Sequence, residues 1–271
     1  MYDFLGKVCL VTGGTSGIGE TVSERLIKAG AEVIVFGRDE EKGAALADRL
    51  GEHCRFIACD VGDPAQVEQA FASIRSAYGR LDCAFNNAGV TAKYGALAQS
   101  CPDDWMKVMN INVNGTYHCM RHELQLMLDR GTGAIVNTSS CAGVVPIGGQ
   151  VAYVASKQAI NGMTQVASIE NARLEDGGCI RVNAVAPGPI LGGMNSEARL
   201  KAAPENTQRK INVTSMKRFG TADEVANAVL WLLSDQSAYV TGVIMPIDGG
   251  TPAASSEIKQ TNDPPRAGRF V

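Results

Sequence analysis

No run of apolar residues in this 271-residue chain approaches the roughly 18 that a membrane-spanning helix requires. Neither sign of charge dominates: 25 Lys and Arg stand against 28 Asp and Glu, a formal net charge of −3. A nucleic-acid or anionic-membrane surface needs a basic face, so both partner classes are excluded. Cysteines number eight, but none forms a CxxC pair or a metal-finger spacing. Most sit in apolar runs, as in Val8-Cys9-Leu10 and Asp82-Cys83-Ala84, where the thiol acts as a small hydrophobe. Histidine is scarce: His53, His118 and His122. The last two share a helix face at i, i+4, yet no acid stands between them, so no catalytic metal is expected. No basic and apolar leader precedes the first strand, which opens at Lys7. With reduced thiols, the expected compartment is the cytoplasm.

What is present is a rhythm. Hydrophobic residues make up 45% of the chain and the mean hydropathy is −0.02, values of a soluble globular protein. Short, β-branched runs at 8–11, 33–36, 55–58, 83–86, 134–137, 180–184 and 243–246 are apolar on both faces, as in a sheet buried under helices. Amphipathic stretches at 17–29, 40–50, 64–78, 104–128, 152–174 and 222–233 alternate with them. Strict β-α-β alternation predicts one domain, a doubly wound parallel sheet of about seven strands with helices on both faces, the Rossmann type. Residues 187–216 break the rhythm, being too long for an ordinary connection. They hold a Pro- and Gly-rich start and a polar, helix-compatible run at 195–212, so the segment is either a substrate lid, expected at about 190–216, or disordered. Residues 252–271 form a Pro-, Ser- and charge-rich extension of the domain at 1–251, with little expected regular structure.

Three groups of residues carry chemistry. Thr12-Gly13-Gly14-Thr15-Ser16-Gly17-Ile18-Gly19 joins the first strand to the first helix. Gly13 permits a tight turn there, and Gly17 and Gly19 let a diphosphate approach the helix N-terminus. Tyr153 and Lys157 are four residues apart in Tyr153-Val154-Ala155-Ser156-Lys157, a spacing that puts them on one helix face. An ammonium beside a phenol favours the phenolate, drawing the Tyr153 pKa down and making it a usable acid or base near neutrality. Ser140 lies thirteen positions upstream of Tyr153.

The glycine loop, Asn86-Asn87-Ala88-Gly89, Ser140, Tyr153-x-x-x-Lys157 and Pro187-Gly188 stand in the order and spacing of the short-chain dehydrogenase/reductase family. The chain resembles that family from about Leu5 to Thr251. The resemblance implies that Tyr153 exchanges a proton with the substrate oxygen, that Ser140 hydrogen-bonds the same oxygen, and that Lys157 binds the nicotinamide ribose. Asn112 matches the Asn that holds a water behind the Lys; Asn110 and Asn114 compete for that place on composition alone. Gly13, Ser16, Gly17, Ile18 and Gly19 would face the diphosphate. Asn87, Ala88 and Gly89 would lie beside the adenosine ribose, with Asn86 supporting the sheet through backbone contacts. Asp60 and Val61 would meet the adenine, although Asp60 could instead cap the next helix. Pro187, Gly188 and Ile190 would meet the carboxamide. Gly192 stands where the family often has Thr, so a diphosphate contact is missing or replaced.

The function implied is hydride exchange between a nicotinamide cofactor and a secondary alcohol/ketone pair. A dehydratase or epimerase on the same scaffold, and a nucleotide-sensing protein without catalysis, are the alternatives; the latter kind usually lacks the Tyr or Lys. The second strand ends in Gly37-Arg38 rather than in the acid that accepts from a ribose 2′-OH. A guanidinium can bind a 2′-phosphate, which favours NADP(H), with NAD(H) possible because Ser16 is not basic and Asp39-Glu40-Glu41 adds negative charge. The pocket is expected along residues 91–101, 141–151 and the lid. Six basic residues against two acidic ones between Ile190 and Arg218 hint at an anionic substrate, with a solvated lid surface the plainer reading. The resemblance also implies a homotetramer paired through the helices at 104–128 and 152–174.

Overall fold

A computed structural model of the chain describes residues 2–175 and 177–251; the extension expected at 252–271 lies outside the described residues. The elements follow in order β1 (Val8–Thr12), α1 (Gly17–Lys28), β2 (Glu32–Gly37), α2 (Glu40–Leu50), β3 (Cys54–Ala58), α3 (Pro64–Tyr78), β4 (Cys83–Asn86), α4 (Pro102–Val108), α5 (Gly115–Leu128), β5 (Thr132–Thr138), α6 (Cys141–Val144), α7 (Val151–Asn171), β6 (Cys179–Pro187), α8 (Glu197–Ala202), α9 (Pro204–Asn212), α10 (Ala222–Leu233) and β7 (Ile244–Ile247). The strands form one parallel sheet in the order β3-β2-β1-β4-β5-β6-β7. The winding reverses between β1 and β4, so the carboxyl ends of these two strands open the crevice where ligands of such sheets bind.

Side-chain alternation explains why the strands are apolar throughout. Cys9, Val11, Val33, Val35, Phe85 and Val136 face one core with Val22 and Leu26 of α1 and Val225 and Val229 of α10. Their neighbours Val8, Leu10, Ile34, Phe36, Ala84 and Ile135 face the other, against Val67, Phe71 and Ile74 of α3 and Cys119, Met120 and Leu126 of α5. Each face buries aliphatic side chains worth about 2 kcal/mol apiece. No helix among the described residues is long and apolar enough to cross a membrane.

The expected helix at 104–128 is not uniform. A π-helical turn, Met109–Asn114, separates α4 from α5 and carries Asn112, a position where such turns often serve function. The polar run at 195–212 splits into α8 and α9 because Pro204, the first residue of α9, cannot continue a preceding helix. β6 runs on to Pro187, since Ala184, Val185, Ala186 and Pro187 pair with β7.

Beneath β4 and β5 lies a buried polar cluster. Asn86 Nδ2 donates to Glu123 Oε2 at 2.9 Å and to Asn137 Oδ1 at 3.0 Å, and Asn137 Nδ2 donates to Thr164 Oγ1 at 2.9 Å. Asn86 thus supports the sheet through its side chain, not only its backbone. Glu123 forms no ion pair among the described residues, and burial pushes its pKa up to about 8. The folded protein therefore holds this proton through a range in which an unfolded Glu has released it, and stability falls as pH rises. Glu123→Gln cannot ionise. Its thermal midpoint should gain on wild type between about pH 5 and pH 8, by up to roughly 4 kcal/mol of stability. A pH-independent gap between the two would contradict the burial of an uncharged carboxyl.

Candidate active site

β1 ends at Thr12 and the chain turns through Gly13 (φ 63°) into α1, whose first residue Gly17 also has positive φ (57°). Only glycine takes these angles without strain. A Cβ on Gly13 would stand 2.9 Å from Ala88 Cα, and one on Gly19 would collide with the Gly13 carbonyl oxygen. The buried Thr12 hydroxyl accepts from the backbone N–H of Asn87 at 3.0 Å and of Ala88 at 3.1 Å. Asn87 Nδ2 donates back to the Gly13 carbonyl at 3.1 Å. The ends of β1 and β4 are thereby tied into one unit. Ser16 precedes α1 without a side-chain cap, which leaves the first-turn amides of Gly17, Ile18 and Gly19 without intrahelical acceptors and suited to an anion.

At the far end of the crevice, Arg38 reaches from β2 to within 3.8 Å of Asp60 Oδ2. Asp60 accepts from the Gly62 N–H at 3.0 Å. It does not cap α3: Asp63 does, accepting from Ala65 and Gln66 at 3.0 and 3.3 Å. Val61 is buried, filling the space above Gly115. Asp39 caps α2 and pairs with Lys42 at 2.8 Å, and both line the cleft. Lys42 is a second cation that sequence reasoning overlooked. Its signal was the Asp39–Lys42 spacing of three, which brings a helix cap and a basic residue together.

At the other end, Ser140 caps α6, its hydroxyl accepting from the Ala142 N–H at 3.2 Å. Tyr153 and Lys157 project from α7 on one face. Lys157 Nζ donates to the Thr138 carbonyl at 2.8 Å and lies 5.6 Å from the Tyr153 ring centre. Asn112 is fully buried; its Oδ1 accepts from the Val90 N–H at 2.8 Å, and its Nδ2 donates to the Val90 carbonyl at 2.9 Å and Ser156 Oγ at 3.0 Å. Asn110 instead donates to the Gly62 carbonyl, and Asn114 to Asn110, so both point away from Lys157. Thr12, Thr138 and Ser156 hold the site from behind; sequence reasoning did not single them out because their roles depend on tertiary partners.

The electrostatics differ from the expectation that Lys157 draws the Tyr153 pKa down. Burial pushes the Tyr153 phenol above its usual value, with the Ser140 hydrogen bond pulling part of the way back. Burial also lowers Lys157, to about 8. The cause is that Lys157 turns its ammonium to a backbone carbonyl, and desolvation acts on both groups.

Most of the expected site residues line one cleft of about 700 Å³, from Ser16 and Arg38 through Asn87, Ala88 and Gly89 to Pro187, Gly188 and Ile190; Gly19 and Asn112 stand behind its lining. Gly193 closes it from above: a Cβ on Gly17 would lie 3.4 Å from the Gly193 Cα and N. A dinucleotide fits this shape. Backbone without side chains stands where the diphosphate would pass, cations stand at one end, and a Tyr and a Lys at the other. Among the described residues no three metal-ligating side chains come together.

Fold and cleft together define a dinucleotide-dependent oxidoreductase. A family model described as Enoyl-(Acyl carrier protein) reductase matches residues 13–252. Levodione reductase of Leifsonia aquatica is 35% identical over 260 residues, covering 93% of this chain and 96% of that protein. A levodione reductase crystal structure matches with a TM-score of 0.85 at 34% identity, covering 93% and 99% of the two chains. ElxO with NADP bound matches at 0.84 and 32%, covering 92% and 100%. NAD+-bound xylitol dehydrogenase matches at 0.84 and 33%, covering 91% and 99%. The chain belongs to the short-chain dehydrogenase/reductase family. It is an NAD(P)-dependent oxidoreductase acting on alcohol and ketone groups of a small molecule.

The Thr12 tie yields a test. Thr12→Val keeps the shape but strands two backbone N–H groups, at a cost of about 2–4 kcal/mol. Urea unfolding should show that loss, and a fluorescence titration should show cofactor affinity weakened on the order of tenfold. Unchanged affinity in a folded variant would mean that the tie does not shape the cleft.

Proposed function

We propose that this enzyme interconverts a secondary alcohol and a ketone with Tyr153 as the acid/base, Ser140 and Lys157 beside it, and a preference for NADP(H). The observation that carries the reading is the meeting of Tyr153, Ser140 and Lys157 at one end of a cleft shaped for a dinucleotide. Gly13, Ser16, Gly17, Ile18 and Gly19 would hold the diphosphate, Asp60 and Val61 the adenine, and Asn87, Ala88 and Gly89 its ribose. Pro187, Gly188 and Ile190 would hold the carboxamide. When bound, the nicotinamide supplies or accepts a hydride.

The chain's own residues manage the proton. In ketone reduction Tyr153 Oη gives its proton to the substrate oxygen; in alcohol oxidation it takes one back. A phenol with a pKa above its usual value is protonated at neutral pH, the state reduction needs. Ser140 donates to the same oxygen and steadies negative charge there. Lys157 binds the ribose hydroxyls and places positive charge near the phenol. A Cβ on Gly89 would stand 3.3 Å from Asn112 Oδ1 and 3.6 Å from Lys157 Nζ, so the glycine keeps the backbone close to both, and Asn112 would hold a water that relays the proton outward. Retention of both Tyr153 and Lys157 favours catalysis over nucleotide sensing. A dehydratase or epimerase would show no net change in reduced cofactor during turnover.

The cofactor preference rests on Arg38 and Lys42 lining this end of the cleft, with Gly37 where an NAD-binding acid would stand; Asp60 and Asp39, at 3.8 and 2.8 Å from the two cations, temper it. Residues 190–216 act as the substrate lid. The assembly is a homotetramer, supported by the exposed apolar side chains Val166 and Ile169 on α7 and Tyr117 and Leu128 on α5. The compartment is the cytoplasm, in keeping with the free thiols of the described cysteines.

Tyr153→Phe should lower kcat by roughly 10²–10⁴-fold while cofactor affinity, read by fluorescence, stays near that of wild type. Substantial residual turnover would remove Tyr153 from the proton transfer. Arg38→Ala should cut kcat/KM with NADPH by on the order of tenfold and change it little with NADH. A wild-type preference for NADH, untouched by the substitution, would reverse the cofactor assignment.

A further inference from the structure

We infer that the lid carries a binding site for an anionic group on the substrate, a carboxylate or phosphate, formed by Arg199, Arg209 and Lys210. This rests on the oxidoreductase reading above and adds the substrate's chemical class. The six cations between Ile190 and Arg218 fall into two kinds. Lys201 pairs with Glu197 at 3.5 Å and Arg218 with Glu224 at 2.6 Å, while Lys217 donates to the Asn212 carbonyl at 2.7 Å. Arg199, Arg209 and Lys210, like Lys217, have no acidic partner among the described residues. Neutral groups hold each of them instead. Arg199 lies 3.4 Å from the Met194 carbonyl, Lys210 Nζ donates to Asn195 Oδ1 at 2.6 Å, and Arg209 donates to Asn206 Oδ1 at 3.2 Å.

These contacts gather the three charges. Arg199 and Lys210 grip neighbouring residues, Met194 and Asn195, and Arg209 adjoins Lys210. Asn195 is itself fixed, its Nδ2 donating to the Ile190 carbonyl at 2.8 Å. Burial lowers the Lys210 pKa, and the nearby Arg209 and Arg199 charges push it the same way. A bound anion would compensate these charges.

The location selects the substrate. The Arg209 guanidinium lies 4.6 Å from the centre of the Tyr94 ring. That ring rests on Gly149, where a Cβ would be 2.6 Å from it, and Gly149 stands four residues before Tyr153. Met194, Asn195 and Arg199 line the same cleft as Ser140 and Tyr153. Met194 lines that cleft and is exposed, as are Val144, Val145 and Ile147 on the segment leading to Gly149, which supplies apolar surface for the substrate body. The ligand that matches is a ketone or secondary alcohol with an apolar body and an acid at its far end. The cofactor diphosphate is the other anion within the cleft, so the test must separate the two.

Wild type, Arg209→Gln and Lys210→Met would be assayed on ketone pairs that differ only in charge: 4-acetylbenzoate and 5-oxohexanoate against their methyl esters. The expected result is a wild-type preference for the acids of about tenfold or more in kcat/KM, weakened by salt. Each variant should lose about tenfold on the acids, mainly in KM, with a much smaller loss on the esters. The cofactor dissociation constant should move less than about twofold. Equal losses on acid and ester would mean that the cations only pack the lid, and a tenfold weaker cofactor would assign them to the diphosphate; either overturns the inference. If no ketone is reduced by wild type, the oxidoreductase reading fails on its own. Calorimetric titration of 4-acetylbenzoate into the cofactor complex then decides: binding lost in Lys210→Met upholds the anion site, and no binding to wild type overturns it.

Discussion

The arrangement of the cleft depends on one ammonium kept out of water with no carboxylate beside it. Lys157 is almost fully buried, and the group that receives its proton is the Thr138 carbonyl at the end of β5. A charge in that position is tolerated only if the surrounding dipoles are fixed. They are. Thr138 is held by pairing with Val185 of β6, and Asn112 donates to the Ser156 hydroxyl, which in turn donates to the Tyr153 carbonyl. An acid placed there would neutralise the ammonium that the proposed mechanism uses at the ribose and the phenol.

Holding the cofactor and moving the proton are mechanically linked through the strand ends. The Thr12 hydroxyl joins the glycine loop to Asn87 and Ala88, and the Val90 N–H that follows Gly89 donates to Asn112, where a Cβ on Gly89 would crowd Asn112 and Lys157. Below it, Asn86 reaches Glu123 and Asn137. The stretch from Asn86 to Val90 therefore touches the glycine loop, Asn112 and the buried polar cluster. Displacement of any of the three should be felt by the other two, because none has slack to absorb it.

Much of this was legible in the sequence. The boundaries of α2, α3, β4 and α10 follow from their periodicity and caps, and the glycine, Asn-Asn-Ala-Gly and Tyr-Lys motifs fall along one cleft as their spacing implied. What escaped was whatever depends on a tertiary partner. The reach of β6 to Pro187 needs β7 beside it, and the π-helical turn at Asn112 has no local sequence mark. The choice of Asp63 over Asp60 as the α3 cap turns on where Arg38 and Gly62 sit. The sign of the Tyr153 shift was misjudged because spacing says that two groups share a face, but not which way an ammonium points or how deeply both are buried. Likewise, the six lid cations could be counted from the sequence, but only the fold shows that four of them lack an acid and that three of these gather near Asn195.

The central claim is that Lys157 is a desolvated, unpaired ammonium, and its own titration is the most direct measurement. Lysine labelled with carbon-13 at Cε, with the Lys157 resonance assigned by its loss in Lys157→Arg, would be followed by NMR from pH 6 to 11. The account predicts a midpoint at about 8, well below an ordinary Lys near 10.4. A midpoint at the ordinary value would show a solvated or ion-paired ammonium and would contradict the account.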